Sequence, residues 1–414
     1  MTNAIYRSIE RVARLSYGKL VARLAARTGG IASAEDALSG ALIRALETWP
    51  QTGLPDNPEA WLVTVARNMA TDRLRSDALP LIYEKELVAM AEEHGETGAP
   101  STDPRLGLMF ACAHPSISRN LRAPLMLQTV LGLDAKRMAS VFLLSPGTLG
   151  QRMTRLKAKI ERAGIPFDLP DETELESRLT DVLNAIHAAY AVGYNGIPAG
   201  DAKAASLAEE AIWLVSLIAA AYPDAAEAHG LFALMLLSEA RRPARTDAHT
   251  GALVPLERQD TRLWDTELLH DGETALSNAA QNFSLGRFQL EASIQAAFMA
   301  RRRTGMTDWD ELKKLYAGLV HVSPSIGALV GQAAVLAEAQ SPESALAALE
   351  KIPTNLRRDY QPWWAVRAHM LMLLKDTNAA VEAFDRAIGL SDDPSTRKYL
   401  AAKKSEILEK RDAI

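Results

Sequence analysis

The chain has 414 residues, 48% of them hydrophobic, and one cysteine, which exclude a single small domain and an intramolecular disulfide. No secretory signal pattern occurs between Met1 and Gly30, and no apolar run reaches the roughly 18 residues of a membrane span, so we expect a cytoplasmic protein without a membrane partner. The net charge of −5 divides into +4 for residues 1–170 (21 Lys and Arg against 17 Asp and Glu) and −9 for residues 171–414 (25 against 34), which favours an anionic partner for the first part only.

Apolar residues recur at spacings of three and four along almost the whole chain, and alternating runs rich in Val, Ile and Thr are nearly absent. This pattern predicts an all-α protein. Proline, glycine and acidic residues cluster around Glu92–Pro104, Ile165–Glu174 and Arg242–Gly251 and predict connections there. The first two connections suggest four parts, namely a helical unit at 1–79, a linker at 80–104, a second helical unit at 105–170 and an extension at 171–414.

The segment 134–162 has the pattern of a helix-turn-helix. Asp134 can cap a short first helix that runs to about residue 143, and Ser145 followed by Pro146 suits the start of a second helix. Such a motif holds its helices together through a small residue, a turn residue and an apolar anchor. These positions are taken by Ala139, Leu143 and Leu149.

The predicted second helix is basic and has a single acid, Glu161. Its basic residues are Arg152, Arg155, Lys157, Lys159 and Arg162. In this motif the start of the second helix enters the major groove, where hydroxyl, amide and guanidinium groups contact base edges and further Lys and Arg neutralise phosphates. Thr148 and Gln151 lie at that start. The alternative is a solvated basic face in an ordinary helical bundle.

The extension contains internal repeats. Tetratricopeptide repeats are about 34 residues of paired helices that touch through small residues. Two windows 35 residues apart fit this pattern: Leu329, Ala333, Leu336, Ala345, Leu349 and Ile352, then Trp364, Ala368, Leu371, Ala380, Phe384 and Ala387. A looser third window contains Ala211, Val215 and Ile218. Stacked helical pairs leave a concave face, which favours a protein or small-ligand partner; a chance match of an Ala-rich hairpin is the alternative.

No group of residues suggests catalysis. The eight histidines are scattered, without a His-Glu-x-x-His spacing, and there is no glycine-rich phosphate loop and no Gly-x-Ser-x-Gly. We therefore expect a protein that is not an enzyme and has no cofactor. Cys112 and His114 do not complete the four ligands of structural zinc, so no metal site is predicted and core packing is the expected role of Cys112.

Three motifs lie in order along residues 1–170: Ala34-Glu35-Asp36-Ala37-Leu38 with Leu42, then Asn57-Pro58-Glu59-Ala60-Trp61-Leu62 with Ala66 to Arg75, then Ser145 to Lys159. Together they resemble extracytoplasmic-function sigma factors of the sigma-70 family. The first is similar to the region 2 helix that docks on the polymerase β′ coiled coil. The second is similar to the segment that captures the −10 element, and the third to the region 4 helix that binds the −35 element.

The resemblance implies an alternative sigma factor that binds the β′ and β subunits of core RNA polymerase and directs initiation at promoter DNA. The implied polymerase contacts are Glu35, Asp36, Leu38 and Leu42. The implied DNA contacts are Trp61, Arg67, Asn68, Asp72, Arg73, Arg75, Thr148, Gln151, Arg152, Arg155, Lys157 and Lys159. For Trp61, packing in the core is the favoured alternative.

The chain also resembles a sigma-factor branch with a C-terminal tetratricopeptide-like domain, in Gly164-Ile165-Pro166-Phe167 and, within the extension, in Ala240 to Arg245 and Leu256 to Asp260. It is expected to regulate activity through the basic first part, or to bind a separate protein or small ligand.

The chain departs from the family at Ser39 and Gly40, where a Gln-acid pair is usual. A glycine inside a helix costs about 1 kcal/mol relative to alanine. The competing interpretation is a stand-alone helix-turn-helix regulator with a helical sensing domain.

Overall fold

The described part of the chain is helical, as the apolar spacing predicts. The computed structural model describes residues 2–76, 103–133, 135, 138, 145–167, 169–195, 202–281 and 285–412. Within these ranges there is no strand, and the nearest approach to one is an isolated antiparallel bridge between Thr246 and Leu253. The all-α prediction is confirmed. None of the helices in the described ranges has both the length and the apolar character needed to cross a membrane.

The chain divides into two compact units, Met1–Ala189 and Tyr190–Ile414. The first unit contains six helices in its described part: α1 (Thr2–Thr28), α2 (Ile31–Thr52), α3 (Pro58–Ser76), α4 (Pro104–Cys112), α5 (Arg119–Thr129) and α6 (Pro146–Arg162). A further helix, α7 (Glu172–Asn195), contains the point of division. The predicted boundaries at 79, 104 and 170 stay predictions.

The core of the first unit forms between α1, α2 and α3 and between α1 and α4. Helix α2 turns one face inward because its apolar residues recur at three and four, and residues 31, 34, 38, 41, 45 and 49 are buried. Gly18 lies where α1 crosses the end of α5, and a Cβ atom built there would lie 1.8 Å from the carbonyl oxygen of Val130. Only glycine permits this approach of two backbones.

The second unit is built from consecutive helices. They are α8 (Ala202–Ala221), α9 (Ala226–Ala240), α10 (Thr266–Ala280), α11 (Arg287–Met299), α12 (Arg301–Thr304), α13 (Trp309–Val322), α14 (Ile326–Ala339), α15 (Pro342–Glu350), α16 (Thr354–Arg357), α17 (Gln361–Leu373), α18 (Thr377–Gly389) and α19 (Pro394–Asp412). Three short 3-10 turns, Arg242–Ala244, Leu256–Arg258 and Thr261–Leu263, lie between α9 and α10.

Both predicted repeat windows form helical pairs, α14 with α15 and α17 with α18. Ala333 and Ala345 are fully buried where the first pair touches, and Ala368 and Ala380 are fully buried in the second. The larger apolar partners Leu349, Leu371 and Phe384 pack beside them. A buried side chain of this size contributes about 1.5–3 kcal/mol, so these clusters carry much of the unit's stability. The helical-repeat prediction is confirmed.

The third, looser window also lies in a helix. Ala211, Val215 and Ile218 are fully buried on α8, which packs against α9. The spacing of three and four therefore identified the inward face of this helix.

Candidate functional site

Helix α6 begins as predicted. Ser145 is its N-cap, with its side-chain oxygen accepting a hydrogen bond from the backbone N–H of Thr148 at 3.2 Å, and Pro146 takes the first turn. The predicted anchor Leu149 is fully buried, and Met153, Leu156 and Ile160 continue the same inward face. Most of the predicted first helix of the motif, including Asp134, Ala139 and Leu143, lies outside the described residues.

The outward face of α6 carries the residues predicted to contact bases. Thr148, Gln151, Arg152 and Arg155 are all exposed. In the part of the chain that the structure describes, neither Arg152 nor Arg155 forms an ion pair. Two unpaired guanidinium groups beside a hydroxyl and an amide on the first turns of a capped helix are the groups that major-groove recognition requires.

The two lysines of α6 have different surroundings from its arginines. Lys157 is buried, and its ammonium group donates to both carboxylate oxygens of Glu35 on α2, each at 2.7 Å. Lys159 is exposed, but its ammonium group donates to the backbone carbonyl of Ser116 at 2.6 Å. Their DNA contacts stay predictions, and in this structure both charges have protein partners.

A second contact joins the last turn of α6 to the first turn of α2. The hydroxyl of Ser33 donates to a carboxylate oxygen of Glu161 at 2.5 Å. A Cβ atom at Gly30, the residue before α2, would lie 2.5 Å from the carboxyl carbon of Glu161, so the glycine leaves space for this acid. Helices that are more than 100 residues apart in sequence are thus joined by polar groups.

Glu35 has a third neighbour, Tyr17 on α1, whose hydroxyl donates to it at 3.2 Å. Burial of the phenol, and then the nearby negative charge of Glu35, raise the pKa of Tyr17 above its ordinary value of 10. Tyr17 therefore stays neutral and acts as a hydrogen-bond donor to the Glu35 carboxylate.

The predicted polymerase residues on α2 divide between surface and core. Asp36 is exposed, Leu42 is half-buried and Leu38 is buried at 1% exposure. Leu38 supports helix packing in this structure, and its contact with polymerase stays a prediction. Glu35 is partly buried because Lys157 covers it.

Sequence reasoning missed two exposed apolar residues on α2, Ile43 at 59% and Leu46 at 43% exposure. The signal was present in the sequence. The inward face of α2 passes through Ala41 and Ala45, so apolar residues at 43 and 46 fall on the other side of the helix. Exposed apolar residues on one helix face are frequent at protein contacts.

Helix α3 begins at a loop that Asn57 closes, since its side-chain oxygen accepts from the backbone N–H of Ala60 at 3.0 Å. Trp61 is half-buried and meets the fully buried Trp49 edge-on, with ring centroids 5.2 Å apart. Its neighbours along the helix, Arg67 and Asn68, are exposed. The helix continues through Asp72, Arg73 and Arg75, whose side chains lie outside the described part.

Cys112 lies in the core of the first unit. It is fully buried, 3.5 Å from the hydroxyl of Thr129, and burial raises the pKa of its thiol to about 12. The described ranges contain no group of three or more His, Cys, Asp or Glu side chains that could hold a metal ion.

The first part of α7 is attached to α5 by an ion-pair cluster. The buried carboxylate of Asp181 accepts from Arg119 at 3.0 Å and from Arg122 at 2.5 Å. The Arg122 side chain is only 13% exposed, whereas that of Arg119 is 74% exposed. Residues 172–189 therefore belong structurally to the first unit.

In the second unit the segment 245–264 connects α9 with α10 and reaches the last helix. Leu253 donates its backbone N–H to the carbonyl of Ser395 at 3.0 Å, and Lys398 donates to the carbonyl of Thr250 at 3.0 Å. Arg301 donates to the carbonyl groups of Leu256 and Gln259 at 2.8 and 2.7 Å. This segment, here called the strap, continues from the end of α9 and is joined by hydrogen bonds to α19.

Tyr194 contacts Arg245, the first residue of the strap. Its ring stacks on that of Tyr190 with centroids 5.3 Å apart, and the guanidinium carbons of Arg242 and Arg245 lie 4.7 and 4.4 Å from its centre. Glu239 accepts two hydrogen bonds from Arg242. Cation–π contacts of this kind contribute about 0.5–2 kcal/mol each, so the motif Ala240 to Arg245 has a clear packing role.

Two families match separate parts of the chain. Sigma-70 region 2 matches residues 15–79, which contain the second half of α1 and the whole of α2 and α3. A family of unknown function, DUF6596, matches residues 178–280, which contain Asp181, the Tyr194 cluster and the strap.

One relative and one solved structure accompany these matches. An uncharacterized protein of Rhizobium meliloti is 35% identical over 374 residues, which are 89% of this chain and 88% of that protein. The crystal structure of yeast Tom70 aligns with 99% of this chain and 86% of its own, at 14% identity and a TM-score of 0.33.

Proposed function

We propose that the chain is an alternative sigma factor of the sigma-70 family, of the extracytoplasmic-function branch, and that it directs initiation at its own set of promoters. Sigma-70 factors are transcription initiation factors that bind RNA polymerase and are not enzymes. The site of action is the cytoplasm. The match to sigma-70 region 2 over residues 15–79 carries the proposal.

In this proposal residues 1–79 bind the β′ subunit and hold the −10 element, and residues 105–170 bind the −35 element beside the β subunit. The outward face of α6 supports the second role, because Gln151, Arg152 and Arg155 are exposed on its first turns. Exposed Arg67 and Asn68 on α3 support the first, since stacking and backbone contacts to single-stranded DNA need groups of this kind on one face.

The extension carries a regulatory or partner-binding role in this proposal. The strap supports regulation by the extension itself, because it connects the first helices of the second unit with the last helix. A partner that rearranged the last helix would therefore also move a segment next to the Tyr194 cluster.

The direct test is transcription with purified components. Core RNA polymerase and this chain together should yield transcripts with defined 5′ ends from genomic DNA of the source organism. Core polymerase without this chain, and this chain without core polymerase, should yield none of these transcripts. Arg152→Ala should cost about 1–3 kcal/mol of promoter binding, as the loss of a base-edge contact does. Arg162→Ala removes the same charge from the far end of α6 and is the matched control. If the chain binds DNA specifically but starts no transcription with core polymerase, it is a stand-alone regulator.

A truncation tests the extension. Ending the chain after Asn195 keeps α7 whole and retains Asp181 with Arg119 and Arg122, which a cut at residue 171 would remove. We expect initiation by the truncated chain to differ from that of the full chain. Equal initiation by both would contradict a regulatory role.

A further inference from the structure

The helical repeats of the second unit are contacted by a segment of the chain that is not a repeat. The pairs α14 with α15 and α17 with α18, followed by α19, are here called the repeat array. In arrays of this kind each repeat contacts its neighbours in sequence, and the array leaves an extended surface that binds partners. The strap reaches this array although it belongs to the connection between α9 and α10.

The main chain of the strap is held at two places. The N–H of Leu253 donates to the carbonyl of Ser395 at the start of α19. The guanidinium group of Arg301 donates to the carbonyls of Leu256 and Gln259. Helix groups thus satisfy main-chain donors and acceptors of the strap in the way that a receptor satisfies those of a bound peptide.

Leu256 is the apolar anchor of the strap. It packs against a buried cluster from α11, α13 and α14 that includes Leu319 and Val335. It also packs against a second cluster, which contains Trp264 and Met299. One side chain of the strap therefore contacts both the helices before the repeat array and the first helix of the array.

The next two residues of the strap, Glu257 and Arg258, are exposed and of opposite charge. Burial lowers the pKa of His369 on α17, on which the charges of both strap residues and of Glu338 on α14 also act. Burial raises the pKa of Tyr399 on α19, which is within reach of the same two strap charges. This turn of the strap therefore lies close to α14, α17 and α19.

Each of these contacts can be supplied equally well by another polypeptide. They consist of two main-chain carbonyls, one apolar side chain and two charges, and none of them is covalent. A segment that occupies a site within its own chain lowers the apparent affinity of any competitor, because the site is available only in the fraction of molecules in which that segment has left. Weakening the strap should therefore strengthen the binding of a competitor.

We propose that the strap is a resident ligand of the repeat array, and that the extension binds its protein partner at the same place through a short segment with the chemistry of residues 252–260. Such a segment has an apolar side chain in the position of Leu256, two main-chain carbonyls for Arg301, and an acid followed by a base beside His369. The strap leaves the array when the partner binds. This inference rests on the partner-binding role that the proposed function gives to the extension, and its test measures binding without transcription.

Competition with a synthetic peptide tests the proposal in the full chain. The probe is a fluorescein-labelled peptide of residues 252–260, and fluorescence anisotropy measures its binding. Leu256→Ala in the chain weakens the resident strap, while the peptide keeps its own leucine. The peptide should therefore bind this variant about tenfold more tightly than the unchanged chain. Lys398→Met removes only the contact with the Thr250 carbonyl, which lies outside the peptide, and should give a smaller gain.

Leu263→Ala is the matched control within the strap, because Leu263 is 54% exposed, and it should leave peptide binding unchanged. A peptide with Leu256→Asp should bind none of the chains. Hydrogen exchange in α14 and α17 shows whether each variant keeps its repeats folded. Equal peptide affinity of the unchanged chain and a folded Leu256→Ala chain would overturn the proposal. Should Leu256→Ala unfold the second unit, equal affinity of the unchanged chain and Lys398→Met would overturn it.

The two proposals can fail separately. A chain that starts transcription with core polymerase but fails the peptide test keeps the proposed function and excludes the strap as a resident ligand. A chain that passes the peptide test but starts no transcription keeps the peptide site and excludes the sigma-factor role.

Discussion

The first unit and the repeat pairs of the second unit contain helix junctions of different kinds. In the first unit, residues 122 positions apart meet through the ion pair of Lys157 and Glu35, and residues 59 apart meet through Arg122 and Asp181. In the second unit, the repeat pairs meet through fully buried alanines, as at Ala368 and Ala380, with Phe384 beside them. Polar contacts dominate one set of junctions and small apolar residues the other.

This difference suggests which unit can change shape. An ion pair can exchange one partner for another while both charges stay satisfied, whereas an apolar junction that opens exposes its surface to water. These polar junctions of the first unit are therefore suited to rearrangement when a charged partner binds. The apolar junctions of the repeat pairs are suited to a constant helix-to-helix geometry.

The largest effect should come from the apolar junction. Phe384→Ala removes a large side chain from the cluster between α17 and α18, and we expect a loss of about 3–5 kcal/mol in the free energy of unfolding of the second unit. Leu373→Ala, at a position 43% exposed, is the control and should change little. Denaturant titration followed by tryptophan fluorescence measures both. Similar small losses for the two variants would contradict apolar packing as the main source of stability in the second unit.

Removal of a polar junction should lower the free energy of unfolding by less. Asp181→Ala leaves the Arg122 guanidinium, whose side chain is 13% exposed, without its carboxylate, and we expect a loss of about 1.5–3 kcal/mol in the first unit. Glu47→Ala removes an exposed acid from its pair with Arg44 and should cost about 0–1 kcal/mol. The same titration, with hydrogen exchange on α5 and α7, measures the difference. Equal losses for the two variants would show that burial of the Arg122–Asp181 ion pair adds nothing to the stability of the first unit.

The cap of α6 tests a purely local contact. Ser145→Ala removes the acceptor for the Thr148 backbone N–H and should lower stability by about 1 kcal/mol, whereas Ser145→Asp keeps an acceptor and should restore it. Hydrogen exchange at the first turn of α6 measures the effect. Faster exchange in both variants would show that the side-chain acceptor is not what stabilises this end.

The smallest effect concerns Glu59 on α3. The hydroxyl of Ser16 and then the ammonium group of Lys19 lower the pKa of this carboxyl below 4.5 by hydrogen bonding. A carboxyl with a lowered pKa contributes stability above its unfolded pKa and loses it as the pH falls through the folded value. Ser16→Ala and Lys19→Met should each raise the pKa of Glu59, because each removes a hydrogen bond to its carboxylate. NMR titration of the Glu59 carboxyl measures both shifts, and an unchanged pKa in either variant would contradict the role of that hydrogen bond.

Several features of the fold follow from the sequence because they depend on neighbours along the chain. Spacings of three and four identified the helices and both repeat pairs, since side chains at those spacings share one helix face. Ser145 with Pro146 predicted the start of α6, because a cap is made by residues three positions apart. The exposed face at Gln151, Arg152 and Arg155 follows from the same periodicity.

Other features required the tertiary structure. Lys157 resembles its basic neighbours in the sequence, and only the position of α2 makes it the buried partner of Glu35. The sequence contains 46 Lys and Arg and 51 Asp and Glu, so local pattern cannot say which of them meet. The contact of the strap with Ser395, more than 100 residues away, is of the same kind. Periodicity along one helix determines which side faces inward, while the choice of partner across that face depends on how separate helices pack.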